Sequence, residues 1–185
     1  MPRATRASPF RLPVVVLTAS AVLRFCLLLS SWWDGNAQVK PEPTIKADRI
    51  EVHKSERTMI LLHDGKPLKT YEVALSTVPV GAKEREGDHK VPEGLYIVDT
   101  KNPRSQFHLA LHISYPNAAD RQRARKLGAR PGGNIEIHGL GSKFGWVGAL
   151  HRQTDWTDGC IAVTNSEIEE IWPLVPVGTT VEIRP

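Results

Sequence analysis

The sequence predicts a mostly β domain, a β-sandwich of mixed sheets carrying one or two helices, over residues 48–185. Short alternating or apolar runs recur from residue 48 to residue 183, an Asp64-Gly65 pair separates two of them, and only two segments carry helix-start signals. Ile50 and Val52 alternate with Glu51 and His53, Met59–Leu62 is a short apolar run, and Leu68 to Leu75 forms a longer second arm. Asp-Gly between two such runs predicts a hairpin. Gly94–Asp99, Leu109–Ile113 and Asn134–His138 predict three further strands, and Thr179–Ile183 the last. Asn117 is placed to cap a polar surface helix over Ala118–Leu127 that stops at Gly128. A second helix begins near Thr164, which has capping-box spacing to Glu167. It sets Ile168, Ile171 and Trp172 on one face, and Pro173 and Pro176 are expected to end it.

Charge placement divides the chain before any motif is considered. The formal charge is +4, but Arg3, Arg6, Arg11 and Arg24 stand against only Asp34 in residues 1–37. Without that segment the net charge falls to +1, so the remainder has no basic footprint for nucleic acid. Residues 1–37 read as a signal peptide or N-terminal membrane anchor. The arginines are followed by an apolar stretch from Leu12 to Trp33, and Gly35-Asn36-Ala37 supplies the small residues of a cleavage site. Cleavage near Ala37 is favoured over an uncleaved anchor, because Arg24 falls inside the apolar stretch. Residues 38–47, polar with two prolines, read as a linker. The domain is accordingly expected to be periplasmic or otherwise in the cell envelope, secreted or anchored, touching the membrane only through the N-terminal segment.

Cys160 is the single cysteine outside that segment, so the domain has no partner for an intramolecular disulfide. A lone thiol in an exported protein is an intermolecular bridge, a buried inert residue or a reactive nucleophile. Its surroundings, Asp155-Trp-Thr-Asp-Gly-Cys160, are polar and turn-like, which favours the nucleophile. A thiol attacks as thiolate and needs a base or cationic neighbour. His138, at the end of an alternating strand and followed by Gly139, is the candidate. Backbone N–H groups around Gly159 and Cys160 are candidates for an oxyanion hole. The 22-position gap between His138 and Cys160 is expected to be a loop over the site.

These residues resemble a known family. His138-Gly139 followed by Thr157-Asp158-Gly159-Cys160 is similar to the signature of YkuD-type L,D-transpeptidases, a His, a loop, then Ser/Thr-His-Gly-Cys. The resemblance extends upstream through Asp48–Tyr71, Pro79-Val80-Gly81-Ala82-Lys83 and Gly87-Asp88-His89-Lys90-Val91-Pro92-Glu93-Gly94. It implies an L,D-transpeptidase catalytic domain fold and a cysteine acyl-transfer cycle on the stem tetrapeptides of peptidoglycan, without metal or organic cofactor. Cys160 would be the nucleophile, His138 the base, and the Gly139 carbonyl the group that orients the imidazole. Asp158 stands where many members have His, and Ala162 where many have Arg; a branch of the family shares both changes.

Asp158 and Thr157, beside the nucleophile, and His151 and Arg152, on the intervening loop, are candidate substrate contacts. Trp146 and Trp156 flank that loop as a candidate apolar wall, whereas Trp172 is expected in the core. His89, His108 and His112 are expected to be structural, and His53 and His63 solvated. Two other chemistries compete. His112, His138, His151, Asp158 and Cys160 are zinc-ligand types, though their spacing matches no common motif. A non-catalytic wall-binding module would have no use for the thiol. Within the enzyme class the sequence leaves open transpeptidation, L,D-carboxypeptidase activity, and hydrolysis that releases a wall-linked protein.

Overall fold

A computed structural model describes residues 45–185. The proposed leader, residues 1–37, and residues 38–44 of the linker lie outside the described residues. No helix among the described residues is long and apolar enough to cross a membrane. The domain is mostly β, as expected, with strands β1 (Arg49–His53), β2 (Thr58–His63), β3 (Lys66–Glu72), β4 (Gly94–Ser105), β5 (His108–Ile113), β6 (Glu136–His138), β7 (Ile161–Ala162) and β8 (Thr180–Arg184). Helix α1 spans Ala118–Lys126, a 3-10 segment spans Gly145–Gln153, and helix α2 spans Asn165–Leu174.

The strands form one mixed sheet in the order β3-β2-β1-β8-β4-β5-β6-β7. β4 changes partners along its length: Gly94–Ile97 pair with β8, and Val98–Ser105 pair with β5 past two bulges. Bulges let a strand change course, and the first falls where β4 passes from β8 to β5. Past the end of β3, Ala74 and Ala162 of β7 exchange both backbone hydrogen bonds, at 3.0 and 2.9 Å, and join the sheet's two ends. Ala162 is fully buried at this seam. Ile50, Met59, Leu61, Val98, Leu111, Ile137, Ile161 and Val181 fill the interior, and α2 adds Ile168 and Ile171.

Local chemistry explains most element boundaries. Asp64 and Gly65 both adopt positive φ (49° and 72°), the conformation a two-residue hairpin requires. Asn117 and Thr164 each cap their helix within a complete capping box, closed by Asp120 and Glu167. Several expected boundaries move, and the second hairpin arm, expected over Leu68–Leu75, is β3 over Lys66–Glu72. The strand expected from Asn134 begins at Glu136, because Asn134 takes φ 55°. β4 runs on to Ser105 rather than stopping at Asp99. Pro173 lies inside α2 rather than ending it; there a proline forgoes one hydrogen bond, and the Val175 N–H still reaches the Ile171 carbonyl at 3.0 Å.

Two buried lysines tie down the loop segments that carry the upstream motifs. Lys54 Nζ lies 2.7 Å from Glu93 Oε1 and donates to the Gly81 carbonyl at 2.7 Å. Lys83 Nζ lies 2.7 Å from Asp88 Oδ1, while Asp88 Oδ2 accepts from the Glu84 and Arg85 N–H groups. The acidic residues of the Gly87–Gly94 motif thus brace the loop that passes behind Gly159. Lys54→Met should cost about 3 kcal/mol in urea unfolding, because Glu93 and the Gly81 carbonyl lose their cation. Adding Glu93→Gln should recover part of that loss.

Candidate active site

His138 ends β6, and Cys160 immediately precedes β7. The two strands run parallel, with Ile137 beside Ile161 and His138 beside Ala162. One step back in that register sets Cys160 beside Glu136. Side chains alternate along a strand, so Glu136, His138, Cys160 and Ala162 leave one face of the sheet. His138 and Cys160 are diagonal neighbours on that face. Ala162, beside His138 in that register, is fully buried.

The imidazole is buried, 1% exposed, and its Nδ1 lies 2.6 Å from the Gly139 carbonyl. A carbonyl only accepts, so Nδ1 carries the proton and Nε2 is the basic nitrogen. The expected orienting role of Gly139 has its geometry here. Phe107, at the tip of the β4–β5 hairpin, stacks on the ring at 4.3 Å between centroids, and Trp156 meets it edge-on at 5.9 Å. Burial pushes the His138 pKa below its ordinary value.

The thiol of Cys160 donates to the Asn134 carbonyl at 3.7 Å rather than to the imidazole. Burial, with the charges of Glu136 and Asp158 adding to it, pushes its pKa up to about 11. Resting Cys160 and His138 are therefore a neutral thiol and a neutral imidazole at pH 7. The turn before the nucleophile is built from its own residues. Thr157 Oγ1 donates to the Cys160 carbonyl at 2.8 Å and accepts from the Gly159 N–H at 3.3 Å. Gly159 has φ 127°, and a Cβ there would lie 2.9 Å from the Lys90 carbonyl, so no other residue fits.

The remaining candidates separate. His151 and Trp156 line an apolar cavity of about 410 Å³ with Phe107, Phe144, Val147 and Leu150. Trp146 does not line it; the side chain is 82% exposed, with its N–H donated to the Lys143 carbonyl. Arg152 is turned away into ion pairs with Glu167 and Glu72, which fasten the 3-10 segment to α2 and β3. Thr157 is committed to the turn. Asp158, 86% exposed, pairs with His89 at 2.8 Å on the rim of a polar cavity that Lys83 and Glu86 also line. The five residues considered as zinc ligands are not gathered: His112 bonds to Asp99, His138 to Gly139, His151 to Trp156 and Asp158 to His89. Among the described residues the one group with metal-ligand geometry is Asp48, His63 and Asp64, at the first hairpin.

Sequence reasoning missed three residues. Phe107 carried no local signal. Glu136 shares the alternation of Asn134–His138, and its parity with His138 already put it on the same face. Asn165 follows a helix cap and gave no hint of its role: its Oδ1 accepts from the Leu140 N–H at 2.7 Å. A Cβ at Gly139 would lie 2.6 Å from that oxygen, and one at Gly145 2.5 Å from Asn165 Nδ2. Asn165 thus joins the turn after the base to the start of the 3-10 segment.

A model of the L,D-transpeptidase catalytic domain, the YkuD family, matches residues 47–183. The chain belongs to that family. The Escherichia coli K12 protein named "Putative L,D-transpeptidase YafK" is 31% identical over 132 residues, a match covering 68% of this chain and 46% of that protein. The chain thus spans about half the length of the curated relative. Campylobacter jejuni Pgp2, a helical cell shape determining protein, has a similar fold, with TM-score 0.57 and 24% identity over 76% of this chain and 48% of that one. The L,D-transpeptidase of Xylanimonas cellulosilytica shares the fold at TM-score 0.51 and 14% identity, over 87% and 69% of the two chains.

Burial also lowers the pKa of His151, to about 4. Below about pH 6.5 the unfolded chain takes up protons that the folded His138 and His151 refuse. Stability is therefore full above that pH and falls as the pH drops toward 4. His151→Gln should flatten this loss, read as Tm against pH.

Proposed function

We propose that this chain is a cysteine acyltransferase of the L,D-transpeptidase type, acting on peptidoglycan stem tetrapeptides through a Cys160 thioester. The observation that supports this reading most is the His138 tautomer: Nδ1–H is spent on Gly139, and a basic Nε2 is left on the face that bears Cys160. Family membership supports the substrate class. The export of the domain by residues 1–37 and its work outside the cytoplasm belong to the same proposal.

In this reading His138 Nε2 takes the thiol proton as Cys160 attacks the carbonyl of the L-centre of the third, diamino acid residue. A C–S bond forms, and backbone N–H groups near Gly159 and Cys160 receive the oxyanion. His138 then returns the proton to the amine of D-alanine as the C–N bond breaks. An amine or water next attacks the thioester and restores the thiol, His138 again relaying the proton. An amine acceptor makes this a transpeptidase. Water makes it a carboxypeptidase, or a hydrolase of wall-linked protein if the acyl group is held by a protein amine.

The test is incubation of the full chain with disaccharide-tetrapeptide, with and without an amine acceptor, read by mass spectrometry. Cross-linked or exchanged stems are expected, and loss of D-alanine alone would mark the carboxypeptidase. An unchanged substrate in both mixtures would contradict the reading. Cys160→Ala should abolish turnover while leaving the fold intact. His138→Gln should lower kcat by about 100-fold or more.

A further inference from the structure

Strands β5, β6 and β7 set two rows of side chains on the face that carries Cys160. Ala110, His138 and Ala162 form one row, and all three are buried. His112, Glu136 and Cys160 form the other, two residues nearer the start of β6. His112 and Cys160 are half-buried, and Glu136 is 9% exposed. Phe107 and Trp156 close over the imidazole in the first row, so a substrate carbonyl reaches the sulfur across the second. Neighbouring strands lie about 4.8 Å apart, so a group held on the sulfur lies beside Glu136.

Glu136 is more than nine-tenths buried, yet among the described residues its carboxylate has no hydrogen bond or ion pair. Its cross-strand neighbour His112 offsets part of the burial penalty by charge alone and is bonded to Asp99 instead, Nδ1 to Oδ1 at 2.6 Å. Lys83, whose charge reaches the sulfur, is held by Asp88 and the Arg85 carbonyl. The Glu136 oxygens are not sealed from solvent, in contrast to Nε2 of His151. A buried carboxylate without a cation is costly, and this one lies where a substrate can bring the cation. The charges of Glu136 and Asp158 both act on the sulfur, so a free carboxylate is repelled here. A neutral amide would donate a hydrogen bond and leave the charge unmatched. A primary ammonium supplies both the donor and the charge.

We propose that Glu136 is a specificity-determining carboxylate that binds a primary ammonium of the substrate beside the Cys160 sulfur. This rests on the function proposed above and adds to it a group that reads the charge of the substrate. The proposed reaction brings two such groups to the sulfur, the side-chain ammonium of the donor's diamino acid and the amine of the acceptor. Glu136 holds the ammonium, and the proton transfers stay with His138. A cation held there also offsets the charge that disfavours thiolate, so recognition of the substrate favours attack by the sulfur.

The experiment is calorimetric binding of a stem tetrapeptide, its side-chain amine free or acetylated, to Cys160→Ala protein with and without Glu136→Gln. With Glu136 intact the free-amine peptide is expected to bind about tenfold tighter than the acetylated one. Glu136→Gln should remove that preference by weakening the free-amine peptide alone, whereas a merely structural defect would weaken both. The same preference in both proteins, or none with Glu136 intact, would overturn the inference alone. Binding of neither peptide with Glu136 intact would overturn the substrate assignment as well. In the otherwise native protein, Glu136→Gln should raise the KM of the donor, read as D-alanine release, if the donor's ammonium is held. It should raise the KM of the acceptor, read as exchange, if the acceptor's is held, and a fall in kcat with both KM values unchanged would contradict the inference. Should Glu136→Gln fail to fold, carbon NMR of the Glu136 carboxylate in the Cys160→Ala protein decides. A resonance moved by the free-amine peptide and not by the acetylated one supports the inference, and one unmoved, or moved alike by both, contradicts it.

Discussion

The 2.6 Å hydrogen bond from His138 Nδ1 to the Gly139 carbonyl is the constraint on which the rest of the site depends. It joins a side chain to the peptide group next to its own, so the backbone must turn sharply as soon as β6 ends. The turn brings Gly139 against Asn165 and the Phe107 carbonyl, with no space for a Cβ. Asn165 can be there because Thr164 caps α2 and sets the first helical residue beside the turn. The bond also decides which nitrogen is basic. A carboxylate in this position would hold the imidazole with a charge; a carbonyl holds it with a dipole and leaves the ring easier to keep neutral.

That neutrality fits the surroundings. Phe107, Trp156 and the buried face of the sheet withdraw the ring from water, and burial acts on the thiol in the opposite sense, disfavouring thiolate as it disfavours imidazolium. Glu136 adds to this, since it shares the face with Cys160 and any charge on it repels a thiolate. Burial raises its own pKa as well, which lessens the charge it carries, while His112 opposes that shift. The pair is thus uncharged at rest, and in the proposed reaction proton transfer would accompany attack on the substrate carbonyl.

Much of this was legible in the sequence because it rests on local chemistry. The Asp64-Gly65 hairpin, the Asn117 and Thr164 capping boxes and the His138 and Cys160 turns are each written within a few residues. What the sequence hid is long-range. β7 is two residues long and is defined by pairing with β6 and with Ala74, so no periodicity marks it. Phe107 reaches His138 only because β4 and β5 form a long hairpin. Arg152 and Trp146 looked equivalent to His151 and Trp156 as loop residues near the nucleophile. The fold parts them, directing Arg152 to Glu167, Trp146 to solvent and the other two into the cavity.

The claim that the resting pair is neutral is tested most directly by the rate at which Cys160 is alkylated by iodoacetamide as a function of pH, in the protein without substrate. The rate is predicted to rise steadily above neutrality and to level off only as pH nears 11, the pKa to which burial raises the thiol. A plateau already reached near pH 7 would mean a preformed thiolate–imidazolium pair and would contradict the account.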